Sequence, residues 1–144
     1  MDVLTKEQRR KTMQAVKSCG SKIETSLQKA LWKKGYRYRK NCKSIMGKPD
    51  IVLRKFNLVI FCDSEFWHGK NWTQRKKTIH THKKFWFEKI ERNIRRDELV
   101  TKTLRQEGWK VMRFWGKDIE KKLSYCVSKI EKYIQSYERK AHKI

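Results

Sequence analysis

An α/β domain with a mixed central β-sheet flanked by helices is predicted by three features of the chain. Two continuous runs of branched residues are separated by a four-residue turn, a stretch free of Gly and Pro runs from Lys83 to Gln106 into a further apolar run, and apolar residues recur at helical spacing near both ends. With 144 residues the chain suits one modest core, so a single domain over 1–144 is expected. Thr5-Lys6-Glu7-Gln8 has capping-box spacing and should open a short basic helix inside an N-terminal arm over 1–20, carrying Arg9, Arg10, Lys11, Met13 and Lys17 and ending before Gly20. Ser21-Lys22-Ile23-Glu24 is a second such box. Ile23, Leu27, Ala30 and Leu31 then recur as an amphipathic helix as far as Gly35.

Tyr36-Arg37-Tyr38-Arg39 alternates like a half-buried strand, whereas Asp50-Ile51-Val52-Leu53 and Leu58-Val59-Ile60-Phe61-Cys62 read as central strands joined by a hairpin at Arg54–Asn57. A polar, irregular stretch from Asp63 to about Thr81 follows. The long helix Lys83–Gln106 comes next, with Phe87, Ile90 and Ile94 on one face and Gly108 closing it. Lys110–Phe114 reads as a return strand, joined by a right-handed crossover and parallel to its neighbour. Leu123, Cys126, Val127, Ile130 and Ile134 mark a C-terminal amphipathic helix within 116–144.

Lys and Arg number 38 against 15 Asp and Glu, a formal charge of +23 spread along the chain. A compact state so charged repels itself unless a polyanion neutralises part of it. Nucleic acid is the expected polyanion, since the competing one, an anionic membrane surface, usually needs a basic amphipathic helix with a strongly apolar face or a lipid anchor, and no lipidation motif occurs. The apolar runs fall far short of the ~20 residues of a membrane span, and Met1-Asp2-Val3-Leu4-Thr5-Lys6 lacks the apolar region of a secretory signal, so a cytoplasmic protein without membrane attachment is expected. Cys19, Cys42, Cys62 and Cys126 form no C-x-x-C pair and are expected to be free thiols.

The chain's one proline precedes Asp50. Asp50 begins a strand that a hairpin links to the strand ending at Cys62-Asp63, so acidic groups can converge at one end of the sheet. Carboxylate oxygens suit a hard divalent cation such as Mg²⁺, as one or two ions clamping phosphate oxygens. Pro49-Asp50 is equally an ordinary turn pair, and Glu24 taken alone reads as the glutamate of its capping box. Asp50 followed by Asp63-Ser64-Glu65 loosely matches a PD-(D/E)xK nuclease pattern with glutamate in the lysine place, which makes Asp63 a further candidate metal ligand. His68, in Phe66-Trp67-His68-Gly69, has an ordinary pKa near 6.5 that suits proton transfer at neutral pH, or it is a solvated loop histidine. His80, His82 and His142 receive no catalytic role. Phe66, Trp67, Trp72, Phe85, Trp86 and Phe87 gather aromatic surface in a basic region, where such rings either pack a core or wedge between bases.

Lys11-Thr12-Met13-Gln14-Ala15-Val16, Glu24, Gly47-Lys48-Pro49-Asp50, Phe66-Trp67-His68-Gly69, Phe85–Ile90 with Asn93, Arg96 and Asp97, and Gly108-Trp109-Lys110-Val111 occur in order between about Arg9 and Trp115. Together they resemble the very short patch repair endonuclease family, a branch of the restriction-endonuclease-like fold that nicks DNA at T:G mismatches. The resemblance implies a magnesium-dependent endodeoxyribonuclease acting on double-stranded DNA as a monomer, with repair or DNA-modification machinery as its setting. Asp50 would bind magnesium with the main-chain carbonyl of Cys62. His68 would be the general acid or base, Glu24 would organise metal-bound water, and Asp97 would support the histidine or those waters. Phe66, Trp67 and Trp86 match the family's aromatic wedge and Met13 the residue probing the opposite groove; Arg9, Arg10, Lys11 and Lys48 are expected DNA contacts. Where the family usually carries cysteine and histidine zinc ligands this chain has Glu65, Lys70, Trp72 and Lys117. No structural zinc is therefore expected; instead Glu65 should pair with Lys117 or Lys70 and Trp72 should fill the vacated space. A nuclease of this fold without mismatch specificity and a basic DNA-binding protein without activity are the alternatives, with an RNA- or ribosome-associated protein a third for which charge alone would suffice.

Overall fold

The computed structural model describes residues 22–40, 42–65, 68–79 and 81–141. Helix α1 (Lys22–Lys33) buries Glu24, Leu27, Gln28 and Leu31 along one stripe, the helical spacing expected of its sequence. Four strands form one sheet in the order β1-β2-β3-β4: β1 (Arg39–Lys40), β2 (Ile51–Leu53), β3 (Leu58–Asp63) and β4 (Lys110–Trp115). β1 and β2 are antiparallel, as are β2 and β3, while β3 and β4 run parallel with Cys62 opposite Phe114 and Asp63 opposite Trp115. The hairpin turn is a single 3₁₀ turn at Arg54–Phe56, closed by Asn57 in the left-handed region (φ 50°), which a short polar side chain tolerates.

Two elements differ from the sequence expectation. β1 holds two exposed residues rather than the run Tyr36–Arg39; Tyr36 and Tyr38 pack onto the core outside the ladder, so their alternation reports ring burial and not strand pairing. The C-terminal region 116–141 is two helices, α4 (Gly116–Lys121) and α5 (Leu123–Ala141), with Lys122 between them at φ −133°; no Gly or Pro marks this break. The stretch after Asp63 also contains α2 (Trp72–Arg75) and a 3₁₀ turn at Lys76–Thr78. The long helix α3 spans Lys83–Gln106, as its sequence predicts.

Strand alternation divides the core into two layers. Ile51, Leu53, Leu58, Ile60 and Phe114 face α1 and α5, where Leu27, Leu31, Cys126, Ile130 and Ile134 meet them. Val52, Val59, Phe61 and Val111 face α3, against Val100 and Leu104. By the same alternation Asp63 and Arg113 extend from the α3 side, in line with Phe61 and Val111. Among the described residues no helix is long and apolar enough to cross a membrane. The expected N-terminal basic helix lies outside the described residues.

Candidate active site

The site lies where β2 begins and β3 ends. Asp50 continues the hairpin ladder, its N–H donating to the Ile60 carbonyl (3.1 Å), while its Oδ2 accepts the Cys62 N–H (2.7 Å). One turn of α1 brings Glu24, only 6% exposed, beside it, and Gln28 donates to the Asp50 carbonyl (3.4 Å). Burial pushes the Asp50 carboxyl up to about 7. The Cys62 N–H opposes that rise, and the hydrogen bond and charge of Glu24 and the charge of Asp63 add to it. Asp50 therefore retains its proton up to near neutrality, with Glu24 beside it. The Cys62 thiol, pushed far up by its own burial and by these carboxylates, stays neutral.

A second pair stands on the α3 side. His68 Nδ1 is 2.5 Å from Asp97 Oδ2 and 3.7 Å from Asp63 Oδ1. Burial of the ring acts to lower its pKa, but the Asp97 hydrogen bond and the charges of Asp63 and Asp97 outweigh it and raise it above the ordinary value. Asp63 is itself buried, which raises its carboxyl, while His68 and Arg113 pull it back. His68, Asp97 and Arg113 border a pocket of about 280 Å³ that is also lined by Gly47, Phe61, Asn93, Arg96 and Val100.

Two glycines let the loops bearing these groups lie close to α3. Gly47 has φ +79°, and a Cβ there would stand 2.5 Å from Val100 Cγ1; Gly69 has φ +68°, and a Cβ would overlap the Ile94 side chain. The loop after β3 is further held by the His68 N–H to the Ser64 carbonyl (3.0 Å) and by Glu65. Glu65 Oε1 accepts the backbone N–H of Lys117 (2.6 Å), so the expected tie to the end of β4 is made through a main-chain amide rather than an ammonium group. Lys70 instead lies over the Trp115 ring (5.6 Å). Trp72 packs edge-on against Phe87 (5.4 Å) and donates its indole N–H to Glu91 (3.2 Å).

Of the residues singled out from sequence, Asp50, Glu24, Cys62, Asp63, His68 and Asp97 come together at one end of the sheet. Lys48 lies half-buried in the adjoining loop with φ 50°, and Trp86 lies half-buried in the first turn of α3 beside Phe85 (5.0 Å). Arg9, Arg10, Lys11, Met13, Phe66 and Trp67 lie outside the described residues. Sequence reasoning missed Arg113 and Gln28. The first carries a signal, a charged residue at an inward position of β4; the second stands one turn from Glu24 on the buried stripe of α1.

The available chemistry is that of a paired carboxyl group beside a carboxylate-bound imidazole. Among the described residues no three His, Cys, Asp or Glu side chains gather as a metal-holding group on their own. Asp50 beside Glu24 nevertheless fits a hard cation, since a buried carboxyl that retains its proton up to about pH 7 would exchange it for a divalent ion, with main-chain carbonyl and water completing the shell.

Residues 1–74 match the family model for the DNA mismatch endonuclease Vsr. The Type II nicking enzyme V.NmeDIP of Neisseria meningitidis serogroup C is 52% identical over 135 residues, covering 94% of this chain and 91% of its own. V.HpaIIP of Haemophilus parainfluenzae, also a Type II nicking enzyme, is 49% identical over 140 residues, 96% and 98% of the two chains. The DNA mismatch endonuclease Vsr of Escherichia coli is 34% identical over 114 residues, 79% and 72%. With the carboxyl pair and the histidine pair lying inside a restriction-endonuclease-like α/β fold, this chain belongs to the Vsr family of DNA endonucleases.

Proposed function

We propose that this endonuclease is magnesium-dependent and nicks one strand of double-stranded DNA at a T:G-like mismatch or another deformable step, leaving a 5′-phosphate and a 3′-hydroxyl. The observation that carries the reading is the convergence of the Asp50–Glu24 pair with the His68–Asp97 pair. Vsr-like endonucleases generally use a divalent metal, which when bound polarises the phosphate and acidifies water. Asp50 and the Cys62 carbonyl are the groups that would hold it, with Glu24 organising its bound water, and these oxygen donors favour magnesium. Asp63, the further candidate ligand, is already bonded to Arg113 (3.1 Å). Because Asp97 occupies His68 Nδ1, Nε2 is the nitrogen that exchanges a proton with the attacking water or the leaving oxygen. The deciding experiment compares matched duplexes with otherwise identical ones carrying each mismatch, with and without Mg²⁺. Nicking that needs Mg²⁺ and is fastest at T:G is expected; equal rates on all duplexes would remove the mismatch preference, and metal-independent nicking the role of the carboxyl pair.

Phe66, Trp67 and Trp86 are assigned the wedge that enters the disrupted step, and Met13 the opposite groove. Support comes from Trp86 standing beside Phe85, which is 56% exposed at the start of α3. Alanine at both Trp67 and Trp86 should reduce discrimination between mismatched and matched DNA by roughly tenfold or more while leaving nonspecific affinity within a few-fold, since inserted rings are favoured where unstacking costs least. Unchanged discrimination, with no change of tryptophan emission on binding, would return both rings to packing.

The chain is further proposed to hold no structural zinc. Lys70 and Trp72 cannot ligate the ion at neutral pH; Glu65 bonds to the Lys117 amide and Trp72 packs on Phe87. Elemental analysis of purified protein should find no stoichiometric zinc, and chelators should leave the melting temperature of the Mg²⁺-free protein unmoved. One zinc per chain overturns the assignment.

A further inference from the structure

Arg113 leaves β4 on the α3 face with its guanidinium 4.1 Å from the Phe61 ring centre and its side chain 22% exposed. All three of its nitrogens donate to acceptors within the protein. Nε donates to Thr101 Oγ1 (2.9 Å), Nη1 to both oxygens of Asp63 (3.1 and 3.2 Å), and Nη2 to the main-chain carbonyl of Asp97 (3.4 Å). A fork so engaged is poorly placed to clamp a phosphate as well. Its position matters because two carboxylates face the same imidazole nitrogen. Asp97 Oδ2 is 2.5 Å from His68 Nδ1, and Asp63 Oδ1 is 3.7 Å from it. Asp63 is the more buried of the two, and Arg113 Nη1 stands closer to it (3.1 Å) than to Asp97 Oδ1 (3.8 Å); without that cation Asp63 would draw the N–H towards itself and turn the ring.

We propose that Arg113 is a positioning residue that holds Asp63 and α3 so that Asp97, not Asp63, is the partner of His68, thereby fixing the direction in which Nε2 points. The inference rests on the acid–base reading of His68. Misdirecting a proton-transferring group by about an ångström is enough to cost on the order of 10²-fold in rate.

The test is a set of variants assayed with Mg²⁺ and saturating duplex at a temperature where circular dichroism shows each one folded. Arg113→Met should lower kcat about 10²-fold with the DNA dissociation constant nearly unchanged. Adding Asp63→Asn, which removes the competing carboxylate, should return most of kcat. Arg113→Lys, which keeps the charge without the fork, should recover only part. Arg113→Met and Asp97→Asn should combine non-additively, the double variant being no slower than Asp97→Asn alone, because both disturb one hydrogen bond. A full kcat in folded Arg113→Met, additive losses in the cycle, no recovery with Asp63→Asn or complete recovery with Lys would each overturn the proposal. Weakened DNA binding with kcat intact would make Arg113 a phosphate contact instead. His68→Ala, assayed alongside, separates the two levels: undiminished turnover there removes the acid–base reading itself, whereas an impaired His68→Ala with an additive cycle overturns only the role of Arg113.

Discussion

Replacing Asp50 with asparagine is expected to abolish cleavage and, in metal-free buffer at pH 8, to raise the melting temperature rather than lower it. Burial is the largest of the influences that push the Asp50 carboxyl up to about 7, against an ordinary value of 3.8; Cys62 opposes it and Glu24 and Asp63 reinforce it. Between those two values the folded chain holds more protons than the unfolded one. The contribution of this group to stability is therefore complete below about pH 4 and is lost as pH rises through about 7. A displacement of that size corresponds to a few kcal/mol at most. Asparagine is the neutral counterpart of the protonated acid: its Oδ1 can accept the Cys62 N–H and its Nδ2 can donate to Glu24. At pH 8 the variant should melt higher by several degrees, at about 2–8 °C per kcal/mol for a chain of this size, and the difference should vanish near pH 4. Mg²⁺ should stabilise the wild type by mass action and leave the variant unmoved. Melting curves with and without chelator decide the matter, and a variant less stable than wild type at pH 8 would show that Asp50 and Glu24 do not share a strained site.

The same residues show how far the sequence alone could be read. β2, β3, α3 and β4 were legible because runs and periods of apolar residues record which faces are buried, and burial is what defines those elements here. Asp50 was visible as a carboxylate at a strand start behind the only proline. Glu24 looked like a cap, and its place against Asp50 depends on how α1 docks on the sheet, which no local pattern encodes. Asp97 carries no local signal either, lying mid-helix 29 residues from His68, and it was named through family resemblance. Asp63 and Arg113 were the least legible. On paper one is a further acidic candidate and the other is one of 38 basic residues; their bond exists only because parallel pairing of β3 and β4 sets both on the α3 face. Glu65 was expected to find a lysine ammonium and found a lysine amide, since a sequence displays side chains and hides the backbone donors freed at a helix start.

The largest effect on the histidine side is expected from His68→Ala, which should slow cleavage by about 10² to 10⁴-fold, the range for loss of a general acid or base, with DNA affinity nearly unchanged. Geometry gives the reason: one ring nitrogen is held by Asp97 at 2.5 Å, leaving the other to carry protons to and from the reaction. In metal-free protein the ring should titrate above 6.5, because although burial acts to lower it, the Asp97 bond and the charges of Asp63 and Asp97 prevail. A histidine raised in this way stabilises the fold at low pH, and that contribution is lost as pH rises through the folded value. Asp97→Asn removes the strongest of the raising influences, so it should move the ring's titration downward and remove part of the extra stability seen on the acid side. Ring-proton NMR across pH 5–9 measures the first effect and melting curves the second. An Asp97→Asn ring that titrates where the wild type does would mean that Asp97 does not govern His68, and a His68→Ala variant that loses DNA binding rather than turnover would make the histidine a phosphate contact.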